Sequence, residues 1–178
     1  MSRAQDVARR YLASGSLMRQ GVSIFAVGDP AGAQLNAAIR RTLFVLGDER
    51  SEVWNGVLQA ANALRWRRMT QPQPREFQTQ QPLIDEIVRQ AKRLRNLVTD
   101  GALLDLIAEG AVAVGETDSP VGAVLLESIQ EVGPESCVVV ASKGAARAGL
   151  ASWLDEVGAT VLVPSELDTV GAGIETSY

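Results

Sequence analysis

Four stretches between residues 4 and 98 place apolar side chains at helical spacing, which predicts amphipathic helices packed on a common core. They cover residues 4–19, 35–46, 53–64 and 83–98, and a shorter helix is predicted at 103–108. Gly47 and Gly110 are predicted to end two of these helices, because glycine commonly follows a helix C-terminus. Residues 22–27 form a β-branched and aromatic run, which predicts a strand or a buried connector.

The helical pattern is interrupted at residues 70–82. This segment is mostly polar and holds three of the seven prolines. Because proline fixes φ and offers no backbone donor, the segment is predicted to be a loop or a linker.

Beyond residue 110 the pattern changes to alternating strands and helices. A short strand is predicted at 111–114. A helix is predicted to start at Asp118-Ser119-Pro120, with a capping side chain before a proline in the first turn. Gly133 is predicted to end it.

A continuous apolar run at 137–141 predicts a strand that is buried on both faces, and a second buried strand is predicted at 160–163. The helix predicted between them, at 146–154, would complete a right-handed βαβ unit with parallel strands. Two strands are too few for such a sheet. Further strands are therefore expected from this chain, from a protein partner or oligomer, or from a longer parent protein, although the tail after Asp168 shows no periodicity.

The predicted fold class is thus α/β, with a helical N-terminal region followed by a small parallel βαβ unit of the Rossmann-like or RecA-like kind. The predicted organisation is an Arg-rich helical region, a proline- and glutamine-containing loop, a second helical region and the α/β unit. These parts occupy residues 1–69, 70–82, 83–110 and 111–178.

Charge is divided unevenly along the chain. Residues 1–98 hold 15 Lys+Arg and 8 Asp+Glu, a net of +7, whereas residues 99–178 hold 2 and 13, a net of −11, and together they give −4. This asymmetry indicates a nucleic-acid contact, a charged partner, or two halves that dock on each other.

Composition excludes several classes of chemistry. The chain has no histidine, which removes Ser-His-Asp and Cys-His catalysis and histidine-based zinc sites. The single cysteine, Cys137, forms no internal disulfide, which favours a reducing, cytoplasmic location. No apolar run is long enough for a membrane span, so no membrane association is expected. No complete catalytic motif is present, which leaves open whether the protein is an enzyme, and no metal site is predicted.

The turn after the first buried strand is the first candidate site. Ligands bind at the carboxyl ends of parallel strands, where helix N-terminal N–H groups favour anions. Four residues of this turn are candidates for binding a phosphate or a nucleotide cofactor: Ser142, Lys143, Gly144 and Arg147. The alternative is that any βαβ unit needs a turn of small residues here.

Residues 118–165 resemble the start of the second RecA-like lobe of superfamily 2 helicases. The resemblance rests on Ser119-Pro120 opening a helix, a strand ending in Ala141-Ser142-Lys143, a helix with an apolar face, and Gly158 before a second strand. It implies that Ser142 and Lys143 contact a nucleic-acid backbone.

The chain lacks a Gly-x-x-x-x-Gly-Lys-Ser/Thr loop and the arginine-bearing motifs of that family. The resemblance therefore implies an incomplete lobe that does not hydrolyse ATP alone. It further implies the leading part of a larger bacterial nucleic-acid-processing or phage-defence protein.

Two basic clusters flank the 70–82 segment and are candidates for binding nucleic acid. Their residues are Arg65, Trp66, Arg67, Arg68, Arg89, Lys92 and Arg93. The first combines cations with an aromatic stacking surface, as single-strand binders do. The alternative is a helix end where Trp66 packs and the arginines are solvated.

Three functions stay open at this point. The first is a non-catalytic nucleic-acid-associated or assembly module. The second is an enzyme domain that binds a nucleotide or phosphate ligand at residues 142–147, and the third is a structural interaction subunit.

Overall fold

A computed structural model describes residue 21 and residues 23–47, 52–169 and 175–177. The helix predicted at 4–19 lies outside these residues. The described part contains a helical bundle followed by a small α/β unit, so the α/β class is confirmed at that level.

Four helices form the bundle: α1 (Pro30–Leu46), α2 (Asn55–Thr70), α3 (Gln81–Leu94) and α4 (Gly101–Glu116). Each helix packs against its neighbour in the chain, and α1 also packs against α4. The connections between these helices are short, which favours an antiparallel arrangement of consecutive helices. Their apolar stripes meet in one core centred on Leu35, Leu64, Ile87, Leu104 and Ile107, all of which are fully buried.

Helix α4 corrects the prediction of a helix at 103–108 followed by a strand at 111–114. The helix continues through Gly110. This glycine is needed not to end the helix but to let α1 approach α4 closely. A β-carbon at Gly110 would lie 2.8 Å from the Cα atom of Leu35. The boundary between the bundle and the α/β unit therefore falls at 117–119 rather than at 110.

Residues 23–27 correct a second prediction. They form neither a strand nor a buried connector, since they have no regular secondary structure and Ile24 and Phe25 are exposed. The run has β-propensity but no neighbouring strand in the described structure with which to pair.

The α/β unit consists of α5 (Pro120–Val132), β1 (Cys137–Val140), α6 (Gly144–Leu154), β2 (Thr160–Leu162) and β3 (Glu175–Ser177). Strands β1 and β2 are parallel, as predicted, with Val139 opposite Val161. The tail supplies the third strand, which the sequence pattern did not indicate: β3 pairs in parallel with the other edge of β1, giving the order β2-β1-β3. A separate core, which includes Ile129, Trp153 and Leu154, covers this sheet.

Two glycines of this unit follow helix ends: Gly133 comes directly after α5, as predicted, and Gly158 closes the turn after α6. Gly133 and Gly158 adopt φ values of 97° and 80°, a conformation that glycine takes without strain. Helix α5 starts after Ser119, but neither Ser119 nor Asp118 caps it through a side-chain hydrogen bond. Asp118 instead accepts a hydrogen bond from the Arg75 backbone N–H, at 2.7 Å, so the predicted role of its carboxylate as a helix cap is wrong.

Residues 71–80 of the predicted 70–82 loop lie between α2 and α3 and hold one 3₁₀ turn, and this segment packs against the protein rather than extending as a linker. Gln73 and Gln80 are buried, and Phe77 packs against the core of the α/β unit. Gly122 of α5 lies against the carbonyl group of Pro72, where a β-carbon would collide with the carbonyl oxygen. The loop therefore joins the bundle to the α/β unit through close contacts.

Candidate nucleic-acid interface

An open groove lies between α3 and α4, at the end of the bundle that carries the loop. Its volume is ≈ 620 Å³, and Ile84, Val88 and Val112 give it an apolar lining. The two helices approach closely here, since a β-carbon at Gly115 would lie only 2.6 Å from Cδ1 of Ile84. The absence of a side chain at Gly115 therefore allows α3 and α4 to pack closely beside the groove.

Three cations line this groove, which we call the basic groove. Arg89 and Lys92 come from α3, and Arg75 comes from a 3₁₀ turn (Arg75–Phe77) in the loop. Residues three apart on a helix lie on the same face, which places Arg89 and Lys92 side by side. These two residues were predicted from the sequence as nucleic-acid contacts, and the structure adds Arg75, which no helical pattern could place.

Two carboxylates, Asp85 and Glu116, also line the basic groove. Asp85 accepts a hydrogen bond from the Gln81 side-chain amide at 2.8 Å. Arg89 forms an ion pair with Glu86 in the preceding turn of α3. By contrast, the side chains of Arg75 and Lys92 form no salt bridge with any other residue in the described ranges. An anion in the groove would thus meet two cations that are not already paired with a described carboxylate.

Arg68 is not available to nucleic acid, so this predicted contact is wrong. Its side chain is 2% exposed and forms a two-pronged pair with Asp29, with Nε–Oδ2 and Nη2–Oδ1 distances of 2.9 and 3.0 Å. Its Nη atoms also donate to the carbonyl oxygens of Val114, Thr117 and Asp118. These contacts account for all five guanidinium donors. Arg68 is a structural residue that joins α2 to the end of α4.

The same contact changes the titration of Asp29. The hydrogen bonds from Arg68 are the main cause that holds the pKa of this carboxyl below its ordinary value of 3.8, and they outweigh burial, which raises it. A backbone hydrogen bond from Gly32 acts in the same direction as Arg68. Asp29 is therefore charged in the folded protein at neutral pH.

The other residues of the first predicted cluster lie around α2. Arg65 donates to the Asn36 side chain of α1 at 2.9 Å, and Arg67 donates to the carbonyl oxygen of Thr79 at 3.1 Å. Trp66 lies between them in the sequence and is 55% exposed. The alternative in which Trp66 packs and all the arginines are solvated is therefore not what the structure shows.

The predicted basic residues do not converge on one patch. Arg65 faces α1, whereas the basic groove lies between α3 and α4. Arg93 is exposed on α3 but does not line the groove. Only Arg89 and Lys92 of the predicted set are brought together there, with Arg75 as a third cation.

The strand-end turn keeps part of its predicted character. Ser142, Lys143 and Gly144 are exposed after β1, and a β-carbon at Gly144 would meet open space. Arg147 instead donates to the carbonyl oxygen of Val161 at 3.2 Å and to the Glu166 carboxylate at 2.7 Å. It thereby ties α6 to β2 and to the segment that follows β2, which leaves three residues of the turn open to a ligand.

Across the described residues no group of three His, Cys, Asp or Glu side chains is arranged to hold a metal ion. None of the described helices has the length and apolar character needed to cross a membrane. Cys137 is buried in β1.

No protein family, curated protein or solved structure matches this chain. The resemblance of residues 118–165 to a helicase lobe therefore stays a prediction. The basic groove and the strand-end turn stand on their own geometry as the two candidate sites.

Proposed function

We propose that this protein is a non-catalytic nucleic-acid-associated module whose basic groove binds the phosphate backbone. The observation that carries the proposal is the convergence of Arg75, Arg89 and Lys92 on one open groove, although they come from two separate elements. Arginine pairs with phosphate through two parallel hydrogen bonds, and lysine adds a compact positive charge.

The carboxylates of the groove shape the expected binding. Asp85 and Glu116 reduce the net positive charge of the lining, so we expect moderate affinity rather than tight binding. Phosphate contacts release counterions, and affinity then falls with added salt. Three contacts predict a shallow salt dependence, which an experiment can measure.

The finer identity of the α/β unit is part of the same proposal. We propose that it is a partial helicase-lobe-like unit in which Ser142 and Lys143 form a secondary phosphate contact. The parallel pairing of β1 with β2 and the exposure of both residues at the end of β1 support this reading. Thermal stabilisation by ATP or NAD would instead favour the alternative, an enzyme domain that binds a nucleotide at this turn.

The test is fluorescence anisotropy of a labelled single-stranded oligonucleotide titrated with the protein at several salt concentrations. We expect log affinity to fall linearly with log salt between about 50 and 200 mM. In the double variant Arg89→Ala/Lys92→Ala, the slope should fall by about one for each lost phosphate contact, and the affinity should weaken.

The matched control removes the same charge elsewhere. Arg40 and Arg41 are exposed on α1 and do not line the groove. The variant Arg40→Ala/Arg41→Ala should therefore bind nearly as the natural sequence does. An equal loss in both double variants would show that net charge alone, and not the groove, governs binding.

An assembly role is the second candidate, and a specific observation favours it. Phe44 is 88% exposed near the end of α1, and Val45 and Val53 beside the same interhelix connection are also exposed. Apolar groups clustered at a surface often mark a protein contact. Light scattering during size-exclusion chromatography tests this role: self-association that is lost in Phe44→Lys would support it, and a monomer at all concentrations would exclude a homo-oligomer.

A further inference from the structure

The three tryptophans of the chain differ sharply in exposure. Trp54 is 4% exposed in the bundle core, and Trp153 is 3% exposed in the core of the α/β unit. Trp66 is 55% exposed on the outer face of α2. Its indole belongs to neither core, and its described ring contact is with the Arg65 guanidinium, which lies over the ring. More than half of this large aromatic side chain is left open to solvent.

The surroundings of Trp66 are cationic and apolar. Successive residues are turned by about 100° around a helix, so Arg65 and Arg67 flank Trp66 on its two sides. The Arg65 guanidinium carbon lies 5.8 Å from the centre of the indole ring. Met69, one turn further along the same face, is also exposed and extends the apolar surface.

We propose that Trp66 is a base-stacking position for single-stranded nucleic acid, flanked by Arg65 and Arg67 as phosphate contacts. This inference rests on the proposed function, and it specifies that the protein binds single-stranded rather than double-stranded nucleic acid. Stacking on an aromatic ring needs an unpaired base whose face is free, and such contacts tolerate any sequence. The positive charges of Arg65 and Arg67 would contact the phosphate backbone of the strand that carries the stacked base.

The two flanking arginines are held in place before any ligand arrives. Arg65 is anchored by Asn36, and Arg67 is anchored by the carbonyl oxygen of Thr79. Each of these bonds uses one Nη1 donor. The Nε atom of Arg65 is buried, so the donors that this residue can offer to a ligand are its remaining Nη hydrogens. Helix α2, which carries Trp66, packs against α3, and α3 lines the basic groove.

Intrinsic fluorescence reads this contact directly, since Trp66 is the one exposed indole of the three. The full chain is titrated with an unlabelled single-stranded oligonucleotide and with the matching duplex. We expect the single strand to quench the emission and the duplex to bind more weakly. Trp66→Ala should lose about 5- to 160-fold in affinity, the range for one stacked base, and Trp66→Phe should recover part of that loss.

The outcomes separate this inference from the proposed function. Base stacking would be overturned if binding depended on salt but left the Trp66 emission unchanged, and if Trp66→Ala bound with unchanged affinity. The groove proposal would then still stand. Equal affinity for the single strand and the duplex would also overturn base stacking. Absence of any oligonucleotide binding at low salt would reject both. Because Trp66 is exposed, its replacement should leave the circular dichroism spectrum and thermal midpoint unchanged.

Discussion

Replacement of Arg68 by Ala should destabilise the bundle more than any exposed substitution. The change removes a buried guanidinium, so it leaves the Asp29 carboxylate without its main partner and three backbone carbonyl groups without a donor. Removing one member of a buried ion pair costs about 3–5 kcal/mol. For a chain of this length, such a loss lowers the thermal midpoint by roughly 6–20 °C. Arg68→Lys should recover little of it, because an ammonium group cannot reproduce the planar fork.

The assay is urea unfolding followed by circular dichroism and by tryptophan fluorescence, since Trp54 reports the bundle and Trp153 the α/β unit. Arg67→Ala is the matched control, because Arg67 makes a single hydrogen bond to a carbonyl oxygen in an exposed setting. We expect the control to lose less than about 1 kcal/mol. A loss in Arg68→Ala no greater than in the control would refute the assignment of Arg68 as a structural residue.

Three further predictions follow from the packing. The pKa of Asp29 is lower in the folded protein than its ordinary value of 3.8, so the Asp29 carboxylate stabilises the fold above pH 3.8, and this stabilisation is lost as pH falls through the lowered pKa. In Asp29→Asn, a plot of unfolding free energy against pH should lack this acid-dependent loss. Gly110→Ala should cost about 1–3 kcal/mol in urea unfolding, because the added methyl group meets the backbone at Leu35. Gly122→Ala should expose Trp153 to acrylamide quenching, because the methyl group would displace the loop at Pro72.

The two glycine predictions share one control. Gly144→Ala adds the same methyl group into open space at the start of α6. Alanine is a better helix former than glycine, so this variant should be neutral or slightly more stable. Destabilisation of Gly144→Ala equal to that of Gly110→Ala would mean that close helix approach does not explain Gly110.

Helices α1, α2 and α3 and strands β1 and β2 were predictable because periodicity along the chain is a local signal. The continuity of α4 was not, because the reason for Gly110 lies in Leu35, which is distant in sequence. Strand β3 was missed for a similar reason, since three residues without periodicity are a strand only through their pairing with β1.

The site residues divide in the same way. The burial of Arg68 had a signal in the sequence, because it continues the stripe of Val57, Ala61 and Leu64 at helical spacing, but its place in a run of arginines suggested a solvated side chain. Arg75 had no such signal, because its position in the groove depends on how the loop packs. Propensity and period place a residue on a helix face, whereas the convergence of charges depends on tertiary contacts.

Amide chemical shifts of the labelled protein, recorded while a single-stranded oligonucleotide is added, would locate the nucleic acid on the surface. We expect the largest changes along α3 and α4 around Arg89, Lys92 and Gly115, and at Arg75 in the loop. Changes confined to residues 142–144 or to the end of α1 near Phe44, with the groove silent, would contradict the groove proposal.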